Sequence, residues 1–479
     1  MSAKAKDIRL WCEEFRQPVL SVPLHQFWKY SKISTVNLRS SDPSVAQIQM
    51  MPQKYHLETL AIHAGQEIDP TTLARAVPVY RTTAYKFKSA EHAANLFAIK
   101  EFGNIYSRLT NPTNEILEKR LTALDGGVAA LVMSSGTAAI YFTITNILQC
   151  GDEFITASNL YGGTMTQFGS ILPQSNGITA RFTPINDFRA VEAAVNAQTR
   201  AIFVETIGNP GLDVADIEGY AKIAKKHHLP LVVDATFTPP PMLRPIEYGA
   251  DLVIHSLSKW IGGHGTGIGG AVIDAGKFDW TDSKFALYNE PDTGYHGLRF
   301  AHDFADLNPM AFSLRLRLVG LRNQGPTLAP DASWLFLQSL EALPVRMERH
   351  NENTLKVAKH LEGHPKIAWV RYPGLKGDPA HKLAKKYLPN GFGGVVVFAP
   401  RGGKKAGIKI VDNIELFSHL ANVGDAKSLI ILAGSTTHSQ LSEAEQKATG
   451  LSPDLIRLSI GLEHIDDIIS ALDDALKLV

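Results

Sequence analysis

The chain has few cysteines, almost no net charge and no long apolar run. Cys12 and Cys150 are its only cysteines, too few for a disulfide framework or a thiolate metal site. We therefore expect a reducing, cytoplasmic location. The formal net charge of +1 argues against nucleic acid or an anionic membrane surface as a partner. No apolar run approaches the roughly 18 residues that span a bilayer, so no membrane segment is predicted.

The remaining composition is that of a large globular enzyme. Its 479 residues can form two or three domains, and 44% hydrophobic content is ordinary for such a protein. The 17 histidines form no His-Glu-x-x-His motif. We predict small-molecule substrates and no metal.

Two short apolar segments between residues 230 and 274 each end in polar side chains. Leu231-Val232-Val233 precedes Asp234, and Leu252-Val253-Ile254 precedes the run His255-Ser256-Leu257-Ser258-Lys259. Both segments have the pattern of buried strands. In open α/β sheets, ligands bind beyond the carboxyl ends of the strands. The sequence therefore predicts a cofactor site at these two strand ends.

The polar residues of this stretch suit pyridoxal 5'-phosphate (PLP). Lys259 can form a Schiff base with an aldehyde cofactor, and Asp234 can keep the pyridine nitrogen protonated so that the ring acts as an electron sink. The hydroxyl groups of Ser256 and Ser258 can donate hydrogen bonds to the phosphate. We predict that these four residues bind PLP, with Lys259 also acting in catalysis as a general base.

A second phosphate-binding element is predicted at the start of a helix. A strand over residues 128–133 leads through Ser134-Ser135-Gly136-Thr137 into an apolar helix over residues 138–148. A helix N-terminus offers free N–H groups, and small residues allow a phosphate to approach closely. Ser135, Gly136 and Thr137 are therefore predicted to bind the cofactor.

Two other motifs can be found in the same letters. Gly265-x-Gly267-x-x-Gly270 matches the dinucleotide fingerprint, but it precedes an apparent strand instead of joining a strand to a helix. Ser256-x-x-Lys259 matches the nucleophile motif of serine β-lactamases, but Ser-Asp-Asn and Lys-Thr-Gly do not accompany it. A hydrolase that uses Ser256 and Lys259 remains the alternative from another class of enzyme.

The order of the elements predicts an α/β fold. Strands at residues 153–156, 178–182 and 201–205 alternate with helices at 190–195 and 217–227, which indicates a mainly parallel sheet with helices on both faces. Past residue 312 the pattern changes to helices followed by a smaller sheet. These later helices include a long stretch over residues 333–361, interrupted by Pro344, and the later strands are predicted at 395–398 and 428–432.

Six separated motifs resemble those of the Cys/Met-metabolism PLP-dependent enzymes, a family of fold type I. They are Tyr106-Ser107-Arg108 before Asn111-Pro112-Thr113, Ser134-Ser135-Gly136-Thr137, Leu160-Tyr161-Gly162-Gly163-Thr164, Glu205-Thr206 before Asn209-Pro210, Asp234, and Ser256 to Lys259. The resemblance extends from about residue 55 to the C-terminus. It implies a mainly parallel seven-stranded sheet domain and a smaller C-terminal α+β domain.

The resemblance also implies a division of the chain into four parts. Residues 1–50 form an N-terminal extension, and residues 51–110 form an arm that contacts a neighbouring subunit. Residues 111–312 form the large PLP-binding domain, and residues 313–479 form the C-terminal domain. The family resemblance further implies a homotetramer built from dimers that share their active sites.

Further site residues follow from the resemblance alone. Tyr106 and Arg108 are expected to reach the cofactor phosphate of the adjacent subunit, with Tyr106 also near the substrate. Tyr161 is expected to stack on the cofactor ring and to assist at the leaving group. Asn209 is expected near both the cofactor and the substrate. Arg457, whose planar fork can bind both oxygens of a carboxylate, is expected to hold the substrate α-carboxylate.

The favoured reaction is the γ-replacement of the family's O-acetylhomoserine sulfhydrylase branch. Gly208-Asn209-Pro210-Gly211, the long segment between Gly270 and about Gly320, and Asn422-Val423-Gly424-Asp425 all resemble that branch, and Asn422 is expected to contact substrate. A methionine or cystathionine γ-lyase and a cystathionine γ-synthase remain alternatives within the family. Two departures, Ala235 in place of Asn and Leu432-Ala433-Gly434 in place of His-Pro-Ala, leave the acyl donor and the thiol open.

Overall fold

The computed structural model describes residues 55–433 and 452–479. The predicted N-terminal extension, residues 1–50, lies outside the described residues, as does the first part of the predicted arm. Gly434 of the Leu432-Ala433-Gly434 departure also lies outside them.

Seven strands form one sheet, in the order β1-β7-β6-β5-β4-β2-β3. Strand β7 runs antiparallel to both of its neighbours, and the other pairs are parallel. The predicted fold class, a mainly parallel seven-stranded sheet, is confirmed. The strands are β1 Ala129–Met133, β2 Glu153–Ala157, β3 Thr179–Thr183, β4 Thr199–Glu205, β5 Leu231–Asp234, β6 Leu252–Ser256 and β7 Gly270–Asp274.

A second sheet of five strands follows in the chain, in the order β10-β11-β12-β9-β8. This is the smaller C-terminal sheet that the resemblance implied. Its strands are β8 Ile367–Arg371, β9 Val395–Pro400, β10 Ser418–His419, β11 Leu429–Leu432 and β12 Ile456–Ser459.

Helices precede, connect and cover the strands. They are α1 Leu57–His63, α2 Ala90–Phe97, α3 Pro112–Asp125, α4 Gly136–Ile147, α5 Gly162–Thr166, α6 Leu172–Asn176, α7 Phe188–Ala194, α8 Ile217–Lys226, α9 Ala286–Asn289, α10 Ala311–Arg315, α11 Arg322–Gln324, α12 Pro330–Glu341, α13 Leu343–Glu362, α14 His381–Tyr387, α15 Gly403–Asn413 and α16 Ile465–Lys477. Within the residues that the structure describes, none is both long and apolar enough to cross a membrane.

The start of α4 differs from the prediction for a reason that matters to the site. The apolar pattern predicted a helix from residue 138, but the helix begins at Gly136. The Ser135 side chain accepts a hydrogen bond from the Ala138 N–H group, so Ser135 is the N-cap and the two small residues after it are helical. The free N–H groups of the first turn therefore belong to the residues that were predicted to bind phosphate.

The central strands of the seven-stranded sheet are buried on both faces. Leu231 and Val233 of β5 pack in one hydrophobic cluster, and Val232 between them packs in another on the opposite face. This alternation is the strand period of two, and apolar residues at every position are typical of a sheet covered on both sides. Polar residues end β4, β5 and β6, and they lie at one edge of the sheet.

Pro344 divides the predicted long helix into two. Helix α12 ends at Glu341, and α13 begins at Leu343 with the proline in its first turn, where no backbone N–H group is needed.

The loop before β11 packs tightly against the chain that follows β6. Gly424 has a φ of +80°, and a Cβ atom there would lie 2.6 Å from the Trp260 nitrogen and 2.9 Å from the Lys259 carbonyl carbon. Both distances are shorter than real Cβ contacts. Only glycine allows this approach, which brings the loop of the second sheet against the lysine.

We predict that Gly424→Ala lowers the free energy of unfolding by about 2 kcal/mol more than Gly151→Ala does. Gly151 is the matched control because it also has a positive φ, +91°, but nothing lies within 4 Å of a Cβ atom there. Both variants carry backbone strain, and only the first adds a collision. Urea unfolding of the two variants measures the difference, and equal losses would contradict the proposed contact.

Candidate active site

Lys259 follows β6 and lies half-buried among polar groups. Its Nζ atom donates a hydrogen bond to the Asn422 Oδ1 atom at 2.6 Å. Burial, together with the positive charge of Arg457, lowers the pKa of Lys259 to about 8. A substantial fraction of the amine is therefore neutral near pH 7.5, and a neutral amine can attack a carbonyl or accept a proton.

Arg457 on β12 joins the same group of side chains. Its Nη1 atom donates to the Asn209 Oδ1 atom at 2.9 Å, and its Nη2 atom donates to the Asn422 backbone oxygen at 3.3 Å. Burial lowers the pKa of Arg457 to about 10, so the guanidinium remains charged at neutral pH. The structure thus brings together four predicted site residues, Lys259, Asn422, Arg457 and Asn209, from both sheets.

Asp234 ends β5 beside this group and is almost fully buried. Its Oδ1 atom accepts a hydrogen bond from the Thr236 N–H group at 2.9 Å. Burial raises the pKa of Asp234, while Thr236 and the positive charge of His255 act in the opposite direction. This is a carboxylate with few protein donors of its own, and it suits a cationic ligand group such as a protonated pyridine nitrogen.

Glu205 is a site residue that sequence reasoning did not assign. It pairs with Asp234 in the register of β4 and β5, and it accepts the Tyr161 N–H group at 2.8 Å. Burial and the neighbouring Asp234 raise the pKa of Glu205 well above its ordinary value. Its place in the Glu205-Thr206 motif was the feature of the sequence that could have identified it.

Tyr161 stands at the entrance of the site. It precedes α5, its side chain is 44% exposed, and its phenol contributes to the electrostatic environment of Arg457. A Cβ atom on Gly163 would lie 2.5 Å from the tyrosine ring, so glycine at that position leaves room for the ring. Glu205 fixes the backbone and Gly163 permits the ring position.

The N-terminus of α4 forms a close-fitting cradle with the end of β6. A Cβ atom on Gly136 would lie 2.6 Å from the Ser256 Cβ atom, so the helix approaches the strand as closely as glycine allows. The Ser135 and Thr137 hydroxyl oxygens lie 3.0 Å apart at the same helix end. Helical N–H groups and three hydroxyl groups meet here, and this donor set fits a phosphate.

Ser258 has a partner within the protein. Its Oγ atom accepts the Gly269 N–H group at 3.0 Å and lies 3.3 Å from the Gly269 carbonyl oxygen. The hydroxyl thereby ties the residue before Lys259 to the approach to β7. Its contact with a phosphate stays a prediction.

Tyr106 and Arg108 contact each other. The Arg108 guanidinium carbon is 5.0 Å from the centre of the Tyr106 ring, and both side chains are exposed. Within the part of this chain that the structure describes, neither forms a hydrogen bond or ion pair with Lys259. Their predicted role in a neighbouring subunit's site stays a prediction.

The structure does not provide the surroundings that the dinucleotide fingerprint or the Ser-x-x-Lys motif would need. Gly270 begins strand β7, so the glycine run does not open a helix as a dinucleotide fingerprint would. The amine of Lys259 bonds to Asn422, and Ser256 instead lies against Gly136.

We predict that Asn422→Asp raises the pKa of Lys259, because a carboxylate would replace the amide oxygen that accepts its proton. The rate of acetylation of Lys259 by acetic anhydride, followed residue by residue with mass spectrometry, should rise with pH at a midpoint about one to two pH units above that of the wild type. Asn422→Ser is the neutral control and should leave the midpoint lower than in the aspartate variant. Equal midpoints in the two variants would refute the assigned contact.

Comparisons with known proteins identify relatives that match most of this chain. The chain is 49% identical over 435 residues to O-acetyl-L-homoserine sulfhydrylase of Leptospira meyeri. The aligned region covers 90% of this chain and 98% of the relative. It is 50% identical over 422 residues to O-acetyl-L-homoserine sulfhydrylase 1 of Thermus thermophilus, covering 88% and 99% of the two chains.

A solved structure matches as well. It is that of a protein described as an O-acetylhomoserine (thiol)-lyase from Campylobacter jejuni, with N'-pyridoxyl-lysine-5'-monophosphate in the chain. The TM-score is 0.85 at 40% identity, and the match covers 88% of this chain and 100% of that chain. The family described as Cys/Met metabolism PLP-dependent enzyme matches residues 58–477, and this chain belongs to that family.

Proposed function

We propose that this chain is a PLP-dependent O-acetylhomoserine aminocarboxypropyltransferase. It converts O-acetyl-L-homoserine and sulfide to L-homocysteine and acetate, and with a thiol it forms a thioether such as methionine. The observation that carries the proposal is the group of Lys259, Asn422, Arg457 and Asn209 beside Asp234. Relatives about half identical over most of the chain are named for this activity.

The residues divide the work of binding. Arg457 binds the substrate α-carboxylate through its planar fork, in place of part of its present contact with Asn209. Asp234 supports the cofactor ring nitrogen. Gly136 and Thr137 bind the phosphate through their N–H groups, with help from Ser135, Ser256 and Ser258.

Proton transfer falls to Lys259. PLP, when bound, withdraws electrons from the substrate carbons. A lysine whose pKa is about 8 can take a proton from carbon and return it at neutral pH. Asn422 holds the Nζ atom in place between these transfers. Tyr161, exposed at the entrance and beside Arg457, assists the departure of acetate.

The assembly is part of the proposal. Tyr106 and Arg108 act in the active site of the adjacent subunit, which requires at least a dimer, and we propose a homotetramer of such dimers. We also propose that the arm over residues 51–110, the large domain over 111–312 and the C-terminal domain over 313–479 are the working units. A cytoplasmic location agrees with the two cysteines.

The proposed reaction predicts that purified enzyme with PLP and O-acetylhomoserine makes homocysteine only when sulfide is added. Release of acetate and formation of 2-oxobutyrate are measured in the same samples. Lys259→Ala should lose the visible band of lysine-bound PLP and all turnover. Formation of 2-oxobutyrate from methionine or cystathionine, without sulfide-dependent homocysteine, would replace the proposal with a γ-lyase.

The shared site predicts complementation between two inactive variants. Arg108→Ala and Lys259→Ala are each expected to be nearly inactive alone. Mixed subunits should regain about a quarter of wild-type activity, because half of the dimers are mixed and each mixed dimer has one intact site. A mixture of Lys259→Ala with Asp234→Asn is the control. Both residues belong to the same chain's group, so each site of a mixed dimer lacks one of them and no activity should return. No recovery in the Arg108→Ala mixture would contradict the shared site.

A further inference from the structure

A buried ion pair lies beneath Asp234 and has no part in the chemistry described above. The His255 Nε2 atom is 3.0 Å from the Asp125 Oδ2 atom, and the side chains are 1% and 0% exposed. His255 belongs to β6, and Asp125 is the last residue of α3. Such a pair is expensive to bury, so its place next to the cofactor site calls for an explanation.

The position of Asp125 favours a charged histidine. The C-terminus of a helix carries partial negative charge from its free carbonyl groups, which disfavours a carboxylate unless a cation is near. Asp125 lies at that end of α3, and Gly126 ends the helix after it with a φ of +78°. The cation that Asp125 contacts is His255. Arg244, whose guanidinium lies against Gly126, is the next positive group on that side.

His255 lies on the strand next to Asp234, but its side chain is on the opposite face of the sheet. Ile254, which pairs with Asp234, belongs to one hydrophobic cluster and Val253 to the other, so His255 shares the face of Val253. Strands β5 and β6 are parallel neighbours, and Asp234 pairs with Ile254, the residue before His255. The Ala235 N–H group donates to the Ile254 carbonyl oxygen at 2.9 Å, which fixes the two strand ends together. On β7, the residue opposite His255 is the uncharged Ala271, and on β4 the residue opposite Asp234 is Glu205.

The charges of these groups act on one another. Burial alone would lower the pKa of His255, but Asp125, with smaller contributions from Asp234 and the Ala235 backbone, raises it above the ordinary value. In return, the positive charge of His255 opposes the effect of burial on the pKa of Asp234. Burial and Asp234 raise the pKa of Glu205, which provides no compensating positive charge.

We propose that the Asp125–His255 pair keeps the Asp234 carboxyl group ionised, so that it can hold the pyridine nitrogen of PLP in its protonated form. The two residues are positioning residues that act through Asp234. This inference rests on the proposed function, in which Asp234 supports the ring nitrogen. With the pair in place, the buried charges alternate as carboxylate, imidazolium, carboxylate and pyridinium, and they sum to zero.

The test compares PLP with its carbocyclic analogue, in which the ring nitrogen is replaced by carbon. Apoenzyme is titrated with each compound, and dissociation constants are measured by quenching of tryptophan fluorescence. His255→Gln and Asp125→Asn should each weaken PLP binding by about tenfold, the effect of a pKa change of one unit. Binding of the analogue should change by less than about twofold, because the analogue has no ring nitrogen for Asp234 to hold in its protonated form.

A second readout follows the proton itself. In PLP labelled with ¹⁵N at the ring, the nitrogen chemical shift distinguishes the protonated from the neutral form. The wild-type enzyme should hold the protonated form at pH 7.5, and both variants should shift the signal toward the neutral form. A purely structural role of the pair would leave this signal unchanged.

The control is another buried histidine without a carboxylate partner in the described contacts. His350 is fully buried, burial lowers its pKa to about 4, and its Nδ1 atom is 2.7 Å from the Ile460 carbonyl oxygen. His350→Gln should weaken the binding of PLP and of the analogue by equal factors. Equal weakening in His255→Gln and Asp125→Asn as well would overturn the proposal.

Asp234→Asn separates this proposal from the proposed function. If that variant weakens the binding of PLP and of the analogue by the same factor, the role assigned to Asp234 is wrong. If Asp234→Asn weakens the binding of PLP more than that of the analogue, but the two pair variants do not, only the inference about the pair is refuted. Should neither pair variant fold, ¹⁵N-histidine spectra of wild-type apoenzyme decide, since one slowly exchanging imidazole must stay protonated at both nitrogens at pH 7.5.

Discussion

Two basic side chains, Lys259 and Arg457, share one buried site. Their hydrogen-bond acceptors are amide oxygens, not carboxylates. Lys259 bonds to the Asn422 side chain, and Arg457 bonds to the Asn209 side chain and the Asn422 backbone. In the part of the chain that the structure describes, the hydrogen-bond partners of both cations are Asn422 and Asn209. A neutral amide satisfies hydrogen bonds without cancelling charge. The site therefore keeps a positive potential for a carboxylate, and the same potential keeps the pKa of Lys259 low.

The fold supplies this arrangement from two sheets. Strands β4, β5 and β6 are parallel neighbours, so their carboxyl ends deliver Glu205, Asp234 and the residues before Lys259 to one edge. Arg457 comes from β12 of the smaller sheet. Gly424 lets the loop from that sheet approach the lysine backbone closely enough for the amide contact. The site depends on how the two sheets meet.

The site features that could be predicted from the sequence are those set by a single strand or a single helix end. The apolar runs before Asp234 and Lys259 were short, buried and parallel, and the position of polar groups at their ends follows from strand geometry alone. The small residues around Gly136 predicted a phosphate site, although the helix starts two residues earlier than its apolar pattern suggested. A capping side chain, not hydrophobic periodicity, sets that boundary.

What the sequence could not predict depends on register and on distant parts of the chain. The contact of Lys259 with Asn422 joins residues 163 positions apart, and that of His255 with Asp125 spans 130. No local pattern encodes such pairs. The bond from the Tyr161 N–H group to Glu205 likewise requires the end of β4 to align with the start of α5.

Two adjacent buried carboxyl groups have different surroundings. Glu205 and Asp234 are neighbours in the β4–β5 register, and burial disfavours the charge of both. Only Asp234 has both an N–H donor directed at it, from Thr236, and a cation nearby, His255. Two like charges at this distance repel, so the ionisation of Asp234 itself favours a protonated Glu205. Glu205 accepts the Tyr161 N–H group and so positions the backbone of Tyr161, while Asp234 accepts a single N–H group, from Thr236.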